Sequence, residues 1–378
     1  MIGITCRFAQ DSSVFQEELN LLQKKGAFPK ETEIILIQDP TPELGSGGST
    51  LNALLVLAEN LCAKQGHTVL TQDILIGGRS FLFEPCGGAF LDLPATYKTE
   101  SHCRIRLNPL LHLYRTVTNQ LKTDGSPPGV WVCGSDGFFC LPEDLKMNWN
   151  EQQYETSDIL AFSTLVESKM AEQHGVYKFG SSHILEDIWY KAAAKDVSNV
   201  LNNKGQVPLV LSVVLLKTQV AIKMLSLHLV HPLSCSTYLG VDNGALFGLK
   251  MSLFFDFLLP SCAAITKEEF VNGHRAGLKG VSPFKELKHT EGRSEVQEML
   301  KLARSLLFNT FSLFTTYVVP LPTQYFHYFS NDLVEFREFF LNIPFHLSQY
   351  QAYEPLKESL NMNCVNCGLF PSASENLI

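Results

Sequence analysis

The first 150 residues predict an α/β fold in which a mostly parallel sheet is covered by helices. Three observations carry this prediction. Apolar runs of strand length alternate with stretches of helical periodicity across the region. One such run, EIILIQD at Glu33–Asp39, leads through a glycine-rich segment into an apolar-periodic helix ending near Leu61. Another, VWVC at Val130–Cys133, ends on Gly134-Ser135-Asp136-Gly137, where parallel sheets present their ligand-binding groups.

The elements follow in order. MIGITCRF at Met1–Phe8 reads as the first strand, and its abrupt start suggests a shortened N-terminus. Asp11 or Ser12 caps a helix to Lys25 that places Val14, Phe15, Leu19 and Leu22 on one face, with Gly26 ending it. After the strand at Glu33–Asp39 come Gly45, Gly47 and Gly48, then Ser49 and Thr50. Strand, glycine turn and helix aim backbone N–H groups at an anion, which suggests a phosphate cradle with a hydroxyl from Ser49 or Thr50. The other reading is a tight turn with a Ser/Thr cap. Neither GxGxxG nor the lysine of a P-loop is present.

His67–Leu75 reads as strand plus loop. Ile76–Pro94 holds two Gly-Gly pairs and reads as an irregular segment of the kind that carries function. Leu107–Leu121 is a helix and DGSPPG at Asp124–Gly129 a turn. Asp136, directly after the Val130–Cys133 strand, is a candidate ligand for a divalent cation, or shapes its loop through side-chain hydrogen bonds.

The middle third is richer in strands: Ile159–Phe162, Gly175–Phe179, Ile184–Trp189 and Val207–Leu216. Thr218–Leu229 reads as a helix, and Tyr238–Gly244 as a turn-rich loop bearing Asp242. Leu249–Leu259 reads as a helix carrying Asp256 among Phe254, Phe255 and Phe257. An aspartate there is a partnered core carboxylate or a site residue. Thr266 and Glu269 have capping-box spacing. Gly273–Gly292 reads as an exposed connection, Ser294–Leu307 as an amphipathic helix, Phe311–Val319 as a strand, Asn331–Leu341 as a short helix, and Ser372–Ile378 as a frayed tail. The organisation expected is an α/β domain over 1–272, a linker over 273–293 and a helix-plus-strand extension over 294–378.

Composition narrows the function classes. A net charge of −8 argues against nucleic acid. No signal peptide is visible, and no apolar run reaches membrane-spanning length. Ten scattered cysteines fit reduced thiols and a cytoplasmic setting. The pair Cys364 and Cys367 is a weak metal or redox signal.

Six segments in order resemble the N-terminal half of the L-fucokinase family: GSGGSTLNALLVLAE, FLFEPCGGAFLDLP, SPPGVWVCGSDG, HGVY, TYLGVDNGA and SLFFDFL, from Gly45 to Leu258. This half is similar to GDP-fucose pyrophosphorylase. The resemblance spans about residues 1–350. It implies a three-layer α/β/α nucleotidyltransferase-like sheet with a smaller, strand-rich C-terminal extension, and a role in fucose salvage. Fucokinases phosphorylate L-fucose with ATP and Mg²⁺; the pyrophosphorylase joins fucose 1-phosphate to GTP, giving GDP-fucose.

The chain departs from both patterns. The kinase part of the family, with its own glycine-rich motif, is expected beyond Ile378, which suggests a truncated form. The basic-polar run of a pyrophosphorylase glycine loop is replaced by Phe81-Leu82-Phe83, with Arg79 retained and no lysine between Lys64 and Lys98. Losing cations at a phosphoryl-transfer centre costs orders of magnitude in rate, so a weak or inactive site is expected. On this resemblance Gly45, Gly47, Gly48, Ser49 and Thr50 would hold ATP or GTP, and Arg79 would offset charge. Asp136 and Asp242 would hold Mg²⁺, and Asp256 would orient the sugar. The partners implied are L-fucose, fucose 1-phosphate or GDP-fucose. A stand-alone GDP-fucose pyrophosphorylase and a non-catalytic sugar-nucleotide-binding domain are the alternatives.

Overall fold

The computed structural model describes residues 1–6, 9–40, 44–68, 70, 72–75, 79–84, 95–99, 102–135, 137–172, 174–190, 197–242, 249–273, 293–323, 325–328 and 351–352. The strands are β1 (Ile2–Cys6), β2 (Ile34–Gln38), β3 (Arg79–Glu84), β4 (Ala95–Lys98), β5 (Arg104–Arg106), β6 (Gly129–Gly134) and β7 (Gly137–Cys140). They continue as β8 (Ile159–Glu167), β9 (Gly175–Phe179), β10 (Leu185–Tyr190), β11 (Gln206–Lys217), β12 (Thr316–Leu321), β13 (Tyr325–Tyr328) and β14 (Gln351–Ala352). The α-helices are α1 (Ala9–Lys24), α2 (Gly45–Lys64), α3 (Pro109–Thr116), α4 (Gln152–Thr156), α5 (Thr218–Ser226), α6 (Tyr238–Asp242), α7 (Lys267–Val271) and α8 (Arg293–Phe311).

Among the described residues nine strands form the central sheet. Its first half, β2-β1-β3-β6, is parallel throughout. The long strand β11 then pairs antiparallel with β6, β8 and β9, and β9 pairs antiparallel with β10. β12 lies parallel to β8. The parallel half comes from the region whose sequence alternates strand and helix, because a parallel pair needs a crossover between its strands. Two small antiparallel sheets, β13-β7 and β14-β4-β5, flank the large one.

Strand side chains alternate between two cores, which is why the sequence shows near-continuous apolar runs. Leu82, Val130, Val132, Ile159, Ala161, Val214 and Leu216 face the layer containing α2, α5 and α8. Their neighbours Phe81, Phe83, Trp131, Cys133, Leu160, Phe162 and Leu215 face the layer containing α3 and Leu19 and Leu22 of α1. The molecule is therefore a three-layer α/β/α sandwich. Helix ends follow the local signals. Asn108 caps α3 by accepting from the Leu111 N–H at 2.8 Å, with Pro109 first in the helix. Thr266 and Glu269 close a reciprocal capping box on α7.

The structure differs from the sequence expectation at several elements. Part of the segment expected to be irregular, 76–94, is β3, a central strand between β1 and β6. Ser80, Phe81, Leu82 and Phe83 are all buried, so the strand has no polar face to reveal its period; 85–94 lie outside the described residues. In His67–Leu75, the only regular element among the described residues is a 3₁₀ turn at Gln72–Leu75. Tyr238–Asp242 is a short helix rather than a loop, and Leu253–Leu258 is a π-turn rather than part of a long helix. The described part of the expected 294–378 extension is joined to the main body: β12 completes the sheet beside β8, and Leu300, Ala303, Leu307 and Phe311 of α8 belong to one of the two cores. The expected linker beyond 273, the helix at 331–341 and the tail lie outside the described residues.

His112 of α3 illustrates how burial sets a titration. Its Nε2–H donates to the Phe139 carbonyl at 2.8 Å, and its ring stacks on Phe138 at 4.1 Å. Burial first, then the nearby Arg115, push the imidazole down to about 4, against the Phe139 hydrogen bond. The unfolded chain therefore binds a proton that the folded chain refuses between about 6.5 and 4. Stability is expected to be full above pH 6.5 and to fall on acidification through this window, by up to about 1.4 kcal/mol per pH unit. Urea melts at pH 5 and pH 7 check this. His112→Gln, which keeps a donor and loses the titration, should flatten the slope; an unchanged slope would assign it elsewhere.

Candidate functional site

The carboxyl ends of β2, β1, β3 and β6 lie along one edge of the parallel half, the edge where open α/β sheets bind ligands. Asp39 follows β2 there. Its N–H donates to the Cys6 carbonyl at 2.9 Å and so prolongs the β2–β1 ladder by one residue. Its side chain turns to the start of α2, where the Ser49 hydroxyl donates to Asp39 Oδ2. One turn further on, Asn52 is wholly buried. The Asn52 Oδ1 accepts from the Tyr238 N–H at 2.9 Å, and Tyr238 donates through its hydroxyl to Glu59 at 2.6 Å. Among the described residues neither Asp39 Oδ1 nor Asn52 Nδ2 completes a hydrogen bond. Burial raises the Asp39 carboxyl above its ordinary value, partly offset by the Ser49 hydroxyl and the neighbouring Asn52 amide.

The glycine-rich segment is not a loop preceding a helix; it is the first turn of α2, opened by Gly45 at φ +69°. The backbone of residues 251–253 crosses it. Met251 N–H donates to the Leu44 carbonyl at 2.8 Å, and the Gly47 N–H donates to the Met251 carbonyl at 2.9 Å. Leu253 N–H donates to Ser46 Oγ at 3.1 Å, and the Thr50 hydroxyl donates to the Ser46 carbonyl at 2.7 Å. A Cβ on Gly45 would lie 2.4 Å from the Met251 carbonyl oxygen, and one on Gly47 would lie 2.7 Å from the Phe257 ring. A Cβ on Gly48 would lie 2.7 Å from Leu44 Cβ. The glycines permit a close backbone crossing.

This first turn is where the expected phosphate cradle on Gly45, Gly47, Gly48, Ser49 and Thr50 lies. The Gly47 N–H and the Ser49 and Thr50 hydroxyls are spent on protein acceptors. The negative charge favoured near a helix start is already there as the Asp39 carboxylate. Asp256 is likewise the partnered core carboxylate of the two readings. It forms an ion pair with Arg304 Nη1, and its Oδ2 accepts from the Ser252 N–H at 2.7 Å. Burial raises the Asp256 carboxyl and lowers the Arg304 guanidinium, and each opposes the shift of the other.

The remaining expected site residues do not converge in the described structure. Arg79 opens β3, opposite Gly129 of β6, at the amino end of the strand and so away from the Asp39 edge; its side chain lies outside the described residues. Asp242 ends α6, also without a described side chain, and Asp136 lies outside altogether. Among the described residues no group of three His, Cys, Asp or Glu side chains could hold a metal. Seven cysteines among the described residues form no disulfide, with Cys103 exposed and the rest buried; Cys364 and Cys367 lie outside. No helix among the described residues is long and apolar enough to cross a membrane. Asp39 and Asn52 were not singled out from the sequence. The available signal was an aspartate at the end of a buried strand, followed by a serine and an asparagine three residues apart on the next helix.

The fucose pyrophosphorylase domain model matches residues 73–361, a stretch that begins after α2. No curated protein matches the chain. Among solved structures, the crystal structure of mannose-1-phosphate geranyltransferase from Thermus thermophilus is similar at 10% identity, covering 67% of this chain and 69% of that one, with a TM-score of 0.24.

Proposed function

We propose, since the chain belongs to the fucose pyrophosphorylase domain family, that it is the pyrophosphorylase-like part of an L-fucokinase serving fucose salvage in the cytoplasm. In this reading its own nucleotidyl transfer is weak or absent. Membership in the family supports a sugar-nucleotide-related function; fucose 1-phosphate and GDP-fucose are the finer proposal. The observation that carries the reading is the closed start of α2. A triphosphate seated there would have to displace Met251 from the Gly47 N–H and would meet the Asp39 carboxylate bound to Ser49. Like charges at short range oppose each other most strongly where burial removes screening.

The experiment is turnover by the purified chain. With fucose 1-phosphate, GTP and Mg²⁺, pyrophosphate release is expected to stay at background. With L-fucose and ATP, ADP formation is expected to stay there too. Pyrophosphate above background would defeat the weak-site reading. ADP formed with L-fucose would defeat the reading that this chain carries no kinase centre.

A second reading, a stand-alone pyrophosphorylase, has one observation in its favour. Asp39 Oδ1 is buried at the carboxyl edge of the sheet with no hydrogen bond among the described residues, which fits one oxygen ligand of Mg²⁺, a cation that takes one or two carboxylates and completes its shell with water and phosphate. Asp39 would hold the cation, with Asp136 and Asp242 as further donors. The cation would neutralise phosphate charge during transfer. In that case Asp39→Asn abolishes pyrophosphate release; in the weak-site reading there is no release to abolish.

A further inference from the structure

A cavity of about 830 Å³ opens at the opposite edge of the parallel strands, beside Ile2 of β1 and Phe81 of β3. Its size is in the range of small-molecule sites. It lies on the face covered by α1 and α3 and is roofed by the α1–β2 connection. Among the described residues its walls carry four basic side chains, Lys30, Lys98, Arg115 and Lys122, against a single carboxylate, Glu31. In a chain whose net charge is −8, this is a local reversal of sign, and a concave positive site concentrates anions.

Two of the groups are fixed in place and short of partners. The Arg115 guanidinium lies over the Tyr97 ring at 4.0 Å from its centroid, a cation–π contact that fixes it beside the cavity. Among the described residues Arg115 Nε completes no hydrogen bond. Tyr97 is 4% exposed, and its hydroxyl also completes none. Buried donors of this kind are normally satisfied. Burial first pushes the Tyr97 phenol up to about 12, with Arg115 opposing, so the phenol remains a donor at neutral pH. Phe81 adds an aromatic wall, with the Lys122 ammonium 5.3 Å from its ring centroid, and Phe28 and Tyr114 pack edge to face beside it.

We propose that this cavity is a binding site for a phosphorylated small molecule of nucleoside-diphosphate size, its phosphates held by Arg115, Tyr97 and the surrounding lysines. The site is separate from the Asp39 edge and is independent of any turnover there.

Calorimetric titration of the full chain with GDP, and with uncharged guanosine as control, tests this. Saturable GDP binding is expected, with guanosine at least about tenfold weaker. Arg115→Gln should weaken GDP by about tenfold or more. Tyr97→Phe, which removes only the hydroxyl, should weaken it about threefold. Asp39→Asn should leave it unchanged. If Arg115→Gln fails to fold, as judged by its thermal melt, Tyr97→Phe and the exposed Lys98→Gln decide. Absence of saturable GDP binding up to about 1 mM overturns the proposal, as does unchanged affinity in the Arg115 and Tyr97 variants. Loss of binding in Asp39→Asn alone would place the ligand at the carboxyl edge instead and also overturns it.

Discussion

Arg304→Met is expected to destabilise the chain by about 3–5 kcal/mol, the cost of breaking a buried ion pair from one side. Arg304 is 1% exposed on α8 and joins three segments that are distant in sequence. Its Nη1 pairs with Asp256 in the Leu253–Leu258 turn. Its Nε donates to the Phe270 carbonyl of α7 at 2.7 Å, and its guanidinium packs over the Phe270 ring at 3.9 Å. Methionine would fill most of the volume but leave the Asp256 carboxylate without its cation, while the Phe270 carbonyl keeps the Gly273 N–H at 3.1 Å. In the variant, burial would raise the Asp256 carboxyl with no cation to oppose it. The folded state would then keep a proton that the unfolded chain releases above about pH 4. Such a group stabilises below its unfolded pKa and loses that contribution as pH rises, so the variant should be closest to wild type in mild acid. Urea melts at pH 5 and pH 7.5 should show the larger deficit at pH 7.5. The double variant Asp256→Leu/Arg304→Met should be more stable than Arg304→Met alone, because it removes the orphaned charge. A double variant no better than the single would show that the ion pair is not the source of the effect.

This pair also shows where the sequence was readable. Asp256 among phenylalanines announces a buried carboxylate, and a partnered core group was one of its two readings. Its partner could not be read, because Arg304 is 48 residues away on a helix whose pattern of charges does not single it out. The same division runs through the fold. β1, β2, β6 and β11 were legible as apolar runs bounded by turn residues. β3 was not, since glycine pairs flank it and both of its faces are apolar. The reach of the sheet to β12 was hidden for a related reason: the β8–β12 register pairs Ile159 with Thr316, a long-range match that no local pattern encodes. At the candidate site, the glycines were visible but their purpose was not. Glycine is required equally where a phosphate approaches a backbone and where another strand of the same chain does, and only the position of Met251 separates the two.

Gly45→Ala is therefore expected to act on stability before it acts on any ligand, with a loss of about 3 kcal/mol or more. Two costs combine there. Alanine at φ +69° is strained by roughly 1–2 kcal/mol, and the new Cβ would lie 2.4 Å from the Met251 carbonyl oxygen, a backbone atom held by its bond from the Gly47 N–H. Gly47→Ala isolates the second cost, since its φ is ordinary helix. The Cβ meets the Phe257 ring at 2.7 Å and the Ser252 carbonyl carbon at 2.8 Å, for an expected loss of about 1–3 kcal/mol. Gly66→Ala isolates the first. Its φ is +76°, yet among the described residues nothing lies within 4 Å of its Cβ, so about 1–2 kcal/mol is expected. Chemical denaturation of the three variants should rank Gly45 above the other two, because only there do strain and collision coincide. A Gly45→Ala chain as stable as Gly66→Ala would mean that residues 251–253 do not cross α2 in solution. The first turn of the helix would then be open, and its N–H groups would again be available to an anion.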